Sequence, residues 1–384
     1  MSRTDYDVII IGAGPGGSNA ATTLIKAGMR VAQIDKSKFP RVKPCAGGLT
    51  MKAIKACRQN IDSMVEAAFH EVEYNIWKQE KIRFILKRPI LKMVRRPDLD
   101  LFMIRNNLQC GNFSFYEGEK VEKIDFLGRT FRVHSKNLNL TSKHVIGADG
   151  AYGITNRIFQ ISSPLDRALA VEADINRPAS LSAMSCPVYD IAAISKGYGW
   201  VLPKKDHSSV GFYTFEKKIP QIRSLLYSYI RSKGFPMSEN DIKCESHYIP
   251  VGGFDIVTPR APVYIVGDAG GFADALTGEG IYHALESGRL AAETIIQCEL
   301  GSGSHDLYYK RLKKIILPDT KLTYQLSRKY FCEDIRQGFT LLNKNYVWRP
   351  LVQGSIDGLN YRQTLNHLPS YFLKSFLNAR CIRG

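Results

Sequence analysis

The chain is predicted to be an α/β protein: a dinucleotide-binding domain with an inserted antiparallel β-sheet lobe and a helical C-terminal region. Three observations predict it. An apolar run, Asp7-Val8-Ile9-Ile10-Ile11, ends in Gly12-x-Gly14-x-x-Gly17. Far downstream, Pro262-Val263-Tyr264-Ile265-Val266 ends in Gly267-Asp268-Ala269-Gly270-Gly271. Between them lie alternating, β-branched and aromatic runs such as Ser208 to Phe215, the pattern of a sheet with one covered face.

The first run reads as a buried parallel strand, a tight turn, and a helix whose free N–H groups and positive dipole end face a pyrophosphate. Gly14 leaves room for the phosphate, with Pro15 and Gly16 in the same turn. The helix carries Ala21, Leu24 and Ile25 on one face and stops at Gly28. A second strand, Val31 to Ile34, ends in Asp35, followed by Lys36. An acidic residue at that spacing accepts hydrogen bonds from ribose hydroxyls. A glycine turn alone is often just a tight connection, but strand, helix and acid together predict a Rossmann-type site. NAD and FAD are both compatible with it, and the later motifs decide.

Val145-Ile146-Gly147-Ala148-Asp149-Gly150 is a strand ending in Asp-Gly, placed before a helix start near Asn156-Arg157. The Gly-Asp run at 267–271 continues into Leu276-Thr277-Gly278-Glu279-Gly280-Ile281 and a helical pattern to about Gln297. Asp268 would face the ribityl hydroxyls of a flavin. A helix starting near Gly278, with Gly280 and Ile281 in its first turn, would aim its N-terminus at the isoalloxazine ring, where reduced flavin carries negative charge.

At 384 residues two lobes are expected, assembled from discontinuous pieces. Residues 1–160 would form the first part of an FAD-binding domain, with an excursion into the lobe at about 71–94. Residues 161–254 would form the substrate-binding sheet, 255–300 the last part of the FAD domain, and 301–384 a basic, mainly helical region. The apolar run after the first residues is too short for a signal peptide, and no stretch approaches the roughly 20 apolar residues of a spanning helix. Eight cysteines are scattered without CxxC pairs, so neither a zinc site nor a disulfide framework is indicated, and a reducing cytoplasm is expected.

Net charge is +17, and residues 301–384 hold 14 Lys+Arg against 5 Asp+Glu. Together with Leu368, Phe372, Leu373, Phe376 and Leu377 on one helical face, this predicts a peripheral contact with an anionic membrane surface. A nucleic-acid-associated flavoprotein is a remote rival that the charge invites. No nucleic-acid-binding motif accompanies it, and no specific nucleic-acid partner is expected.

With all three motifs in order, the chain resembles the p-hydroxybenzoate-hydroxylase-like flavoproteins, and within them the geranylgeranyl reductase family. Phe39-Pro40-Arg41-Val42-Lys43-Pro44-Cys45-Ala46-Gly47-Gly48 is similar to that family's cysteine and paired-glycine loop. The resemblance implies that Cys45, Gly47 and Gly48 line the flavin's reactive face and that Lys43 lies at the cofactor. Arg96-Pro97-Asp98-Leu99-Asp100 resembles the Arg-x-x-Phe-Asp element, whose arginine contacts the cofactor. Tyr198-Gly199-Trp200-Val201-Leu202-Pro203 is similar to the Tyr-x-Trp-x-Phe-Pro substrate motif. Leu202 departs from its usual Phe, and Ala275 from the Pro usual in the Gly-Asp segment, which leaves the substrate less defined than the class.

The resemblance implies non-covalent FAD and reduction of isolated carbon–carbon double bonds in a polyprenyl or isoprenoid lipid. The electron donor would be NAD(P)H or a small carrier protein such as ferredoxin. Tyr198 and Trp200, two apart on one strand face, would offer a flat apolar wall with polar tips free for a headgroup or water. Cys45 is the candidate to gate or protonate near the flavin. The alternative is a flavin-dependent monooxygenase or halogenase on the same scaffold; the cysteine-glycine loop favours the reductase.

Overall fold

The computed structural model describes residues 4–76, 80–163, 166–177, 186–331, 354, 357–359, 361–366 and 381–383. The opening apolar run forms β1 (Tyr6–Ile11), whose last four residues are buried, and leads into α1 (Pro15–Lys26) and β2 (Val31–Asp35). β1 pairs in parallel with β2 on one side and with β11 (Asn139–Gly147) on the other. The sheet continues from β2 to β8 (Phe113–Glu117), and from β11 to β10 (Phe131–His134) and β9 (Lys123–Phe126), with β17 (Val263–Ile265) also parallel on β11. Both strands that end in Asp-containing turns therefore finish on the same edge as the glycine turn. That is where a doubly wound sheet takes its ligand.

α6 (Ile281–Glu299) crosses α1 at contact distance, because glycines meet there. A Cβ on Gly288 would lie 2.2 Å from Gly16 O, and one on Gly16 would lie 2.8 Å from Ala284 O. Asn19 seals the crossing by donating to Leu285 O across a sequence separation of 266. α3 (Arg96–Leu108) packs on α1. α2 (Met51–Ala56) lies against α6, and α4 (Thr155–Phe159) follows the Asp-Gly turn.

The lobe is an eight-stranded sheet in the order β16 (Glu245–Val251), β12 (Asp166–Asn176), β15 (His207–Thr214), β14 (Gly197–Pro203), β13 (Val188–Ile191), β5 (Glu71–Ile76), β6 (Glu80–Ile85), β18 (Cys381–Arg383). It differs from the all-antiparallel expectation at one join. β13 and β5 are parallel, because β5 arrives from the earlier excursion and not by a hairpin. Residues 91–94 also leave this sheet: β7 (Leu91–Val94) lies between β3 (Gly48–Thr50) and β4 (Val65–Phe69) in a separate three-stranded sheet, which anchors the loop ending at Gly48. α5 (Ile222–Ser232) covers the lobe's far face, burying Leu226 and Ile230 against Val171, Val201, Val210 and Phe212.

The C-terminal region is helical from α7 (Asp306–Ile315), which continues in α8 (Leu317–Tyr330). Tyr308, Tyr309 and Leu312 are buried in the FAD-domain core, and the two tyrosine hydroxyls donate to Ile265 O and Val263 O of β17. A short α9 (Tyr361–Asn366) follows, and 381–383 form a strand on the edge of β6, not a helix. The amphipathic stretch 368–377 lies outside the described residues. Among the described residues no helix is long and apolar enough to cross a membrane.

Candidate functional site

Between the two sheets lies a cavity of about 400 Å³ that runs from the glycine turn to the aromatic face of the lobe. At one end Gly14, Pro15 and Gly16 line it. The start of α1 leaves first-turn amides without intrahelical acceptors, and Pro15 at the first position costs none of them. Three glycines of the turn have different tasks. Gly12 has φ +104°, and a Cβ there would sit 2.1 Å from Ala148 O. One on Gly17 would sit 2.3 Å from Gly12 O. Both close the turn and lie behind the cavity. Gly14, by contrast, faces only the Arg41 guanidinium, 3.4 Å from where its Cβ would be.

Arg41 was not singled out from the sequence. It donates to Asp100 Oδ2 at 3.2 Å, stacks over Phe39, and holds its Nε buried without a hydrogen-bond partner among the described residues. An unpaired buried donor beside an open glycine turn and free helix amides is what a diphosphate needs. This end of the cavity fits the pyrophosphate of FAD.

Several expected ligand residues stand elsewhere. The Asp35 carboxylate accepts from the amides of Ala13 (2.7 Å) and Ser37 (2.8 Å), so it braces the glycine turn from outside the cavity, and Lys36 is exposed to solvent. Asp149 Oδ2 caps the next turn, accepting from the amides of Ile154 and Thr155 and from Thr155 Oγ1; only its neighbours Ala148 and Gly150 line the cavity. Burial pushes the Asp149 carboxyl up, against the pull of those hydrogen bonds.

At the flavin end the expected groups meet. Asp268 pairs with Lys43 (3.4 Å), and both line the cavity with Gly278, Gly280 and Ile281. α6 begins at Ile281, three residues later than expected, because Asp274 and Thr277 organise a turn ahead of it: Asp274 Oδ1 accepts from the amides of Leu276 and Thr277. Gly278 has φ +71° there, against the Tyr213 ring. The α6 N-terminus nonetheless opens on the cavity, where negative charge is favoured.

Cys45, Gly47 and Gly48 line the cavity beside Arg96. Arg96 binds Asp100 through two hydrogen bonds (3.0 and 2.8 Å), with both side chains almost fully buried. Burial opposes its charge, but Asp100 and the Cys45 sulfur outweigh it and hold the guanidinium charged.

The lobe supplies an apolar wall of Leu202 and Ile249 with Tyr189, Tyr198 and Trp200, and β7 adds Leu91 to it. The Tyr198 and Trp200 tips are not free, contrary to expectation. The Tyr198 hydroxyl donates to Thr277 O (2.5 Å), that of Tyr213 to Ala275 O (2.8 Å), and Trp200 Nε1 to Ser209 Oγ (3.1 Å). The two tyrosines bolt the sheet to the turn before α6. Pro203 is buried but does not line the cavity, since it sits at the end of β14, paired with Ser208.

Two polar features of the cavity were missed from the sequence. Lys52 and Glu279 form a buried ion pair (2.8 Å), with Thr50 donating to Glu279 (2.5 Å) and the ammonium over the Tyr282 ring. Glu172, on β12, lines the cavity and accepts from Ser209 Oγ at 3.1 Å. Glu172 sits in unremarkable local sequence, and Glu279, although inside the glycine run at 276–281, draws its meaning from Lys52, which only the fold brings to it.

A family model described as an FAD binding domain matches residues 5–213. The chain belongs to this family of flavoproteins. FAD is its cofactor, and the residues lining this cavity would hold it, where it would supply redox chemistry. An uncharacterised protein of Methanosarcina barkeri is 34% identical to this flavoprotein over 96% of its chain and 94% of the relative. The chloroplastic geranylgeranyl diphosphate reductase of Arabidopsis thaliana is 26% identical over 99% of this chain and 85% of its own. The resemblance to the geranylgeranyl reductase family holds. Among solved structures, a geranylgeranyl bacteriochlorophyll reductase-like protein of Thermoplasma acidophilum superposes with a TM-score of 0.77, covering 95% of this chain and 99% of that one at 18% identity. A flavin-dependent brominase superposes at 0.72, covering 96% and 99% at 19% identity. Both likenesses concern the fold, which is the p-hydroxybenzoate-hydroxylase-like fold expected.

Proposed function

We propose that this flavoprotein reduces isolated carbon–carbon double bonds of a polyprenyl or isoprenoid lipid. The observation that carries the proposal is the continuity of the cavity: the cradle for FAD opens directly onto a wall of Tyr189, Tyr198, Trp200, Leu202 and Leu91. An unactivated alkene accepts hydride poorly, so orientation and exclusion of water must lower the barrier. Aromatic and branched side chains, with the tips of Tyr198 and Trp200 tied inside the protein, do both. Relatives named geranylgeranyl reductases, in plants and in prokaryotes, support the lipid class.

Because such a substrate resides in a bilayer, we further propose that the basic region from 301 onward brings the protein to an anionic membrane face. The test of the reductase reading is anaerobic. Chemically reduced protein mixed with geranylgeranyl diphosphate or a digeranylgeranyl phospholipid should reoxidise its flavin as product heavier by two hydrogens per bond appears. Product that forms only in air, hydroxylated or brominated, would assign the scaffold to oxygen chemistry and end the proposal.

A further inference from the structure

Resting on the reductase reading, we propose that Glu172 delivers the proton to the second carbon of the reduced double bond. Hydride addition leaves the other alkene carbon in need of a proton, and a water-poor cavity must supply it from the protein. Among the described residues three carboxyls line this cavity: Asp268, Glu279 and Glu172. The first is paired with Lys43 and the second with Lys52. Glu172 is the one with no cation at ion-pairing distance among the described residues. The hydroxyls of Tyr198 and Tyr213 are committed to backbone carbonyls, and Lys52 is held charged by Glu279 despite its burial.

Position agrees with the role. The Cys45 amide lies on the Glu172 side of its loop and weakly favours the ionised carboxyl, which places Glu172 near the stretch that lines the cavity at Cys45-Ala46-Gly47-Gly48. The chain Trp200 Nε1 to Ser209 Oγ to Glu172 Oε2, each step 3.1 Å, fixes the carboxyl from the lobe side and ties it to the aromatic wall. A route for replacement protons lies alongside. Asp174, two residues along β12 on the same face, is half exposed, and has Lys204 Nζ at 3.7 Å and His207 Nε2 at 3.8 Å.

The charged and titratable groups around Glu172 are Asp174 on its own strand, Glu245 opposite it on β16, and Lys204 beyond β14. Cys45, Arg96 and His247 stand on the cavity wall. Burial, seconded by Asp174, outweighs Ser209 and Lys204 and holds the carboxyl up at about 7, so that near neutral pH about half of the molecules hold a proton that can be released. The step balances. The alkene takes hydride from the reduced flavin at one carbon and the Glu172 proton at the other; its π bond breaks, two C–H bonds form, the flavin is oxidised by two electrons, and Glu172 is left as carboxylate to be reprotonated from solvent past Asp174.

Glu172→Gln keeps size and the acceptor for Ser209 but holds no acidic proton. With geranylgeranyl diphosphate, the variant should bind FAD stoichiometrically and reoxidise at least 100-fold more slowly than the parent, the usual loss of a general acid. The parent rate should fall as pH rises through about 7, and the variant should lack that inflection. Independently of turnover, 13C-glutamate NMR of the purified protein should show one glutamate titrating near pH 7 that disappears in the variant. A Glu172→Gln rate within threefold of the parent, a titrating glutamate that survives it, or an inflection lost instead in Cys45→Ala would overturn the proposal. A parent protein that reduces no prenyl substrate fails the reductase reading, whatever the variant does.

Discussion

Replacing Asp100 by Ala should be among the most damaging single changes available in this protein. Its carboxylate is 1% exposed and serves two cations: Arg96, 4% exposed, through a bidentate pair at 3.0 and 2.8 Å, and Arg41 at 3.2 Å. Removing one partner of a buried pair leaves an uncompensated charge and costs about 3–5 kcal/mol. Here both guanidiniums lose their shared acceptor, and the Cys45 sulfur cannot neutralise Arg96, so the upper half of that range is expected. Removing both charges of the bidentate pair, in Arg96→Met with Asp100→Leu, should recover most of the loss, because well-packed apolar residues replace such pairs at little cost. Urea denaturation of the FAD-saturated proteins measures the loss in Asp100→Ala, and the parent, Asp100→Leu, Arg96→Met and the double variant form the cycle that measures the recovery. A loss below about 1 kcal/mol in Asp100→Ala would refute the reasoning, since buried ions without partners are not that cheap.

The other predictions are compact. Gly14→Val should abolish the flavin spectrum while leaving the apoprotein's thermal midpoint nearly unchanged, because only the Arg41 side chain adjoins that site; Gly16→Val, whose Cβ would lie 2.6 Å from Val266, should lower the midpoint as well. Glu172→Gln should stabilise the fold at pH 8 by about 3 kcal/mol, a gain that shrinks between pH 7 and 4.5 and vanishes below. The sign follows from a folded pKa raised to about 7: the native state binds the extra proton in that window, so the parent loses stability as pH rises through it. Chemical denaturation across pH checks this. Lys374→Glu with Arg380→Glu should weaken sedimentation with anionic liposomes in a salt-dependent manner, without loss of FAD.

Much of the cofactor end was legible because backbone geometry must be written in glycine and in strand periodicity. Gly12 and Gly17 announce a turn that other residues cannot form, Gly14 a surface kept open toward the phosphate, and Asp268 follows a strand that ends at the same sheet edge. Side-chain direction was less legible. Asp35 and Asp149 occupy motif positions, yet in the structure their carboxylates serve nearby amides, and nothing in the local sequence says which way a carboxylate turns. Glu172, Lys52 and Arg41 were invisible for a different reason. Each becomes significant only through residues distant in the chain: Ser209, Glu279 and Asp100 respectively. The parallel join of β13 to β5 was likewise hidden, since alternation reports which face of a strand is covered and not the direction of its neighbour.

The glycine crossing of α1 and α6 has a bearing on how this protein is made. Gly16 and Gly288 touch from opposite ends of the FAD-binding sequence, so the pocket that captures the flavin has no closed form while residues beyond α5 are still on the ribosome. Contacts of such sequence separation form late and slow folding. Until they form, the apolar faces of α1 and β1 lack their cover. A nascent chain stalled before α6 should thus bind no flavin and depend on chaperones, whereas one extended past Glu299 can close around it.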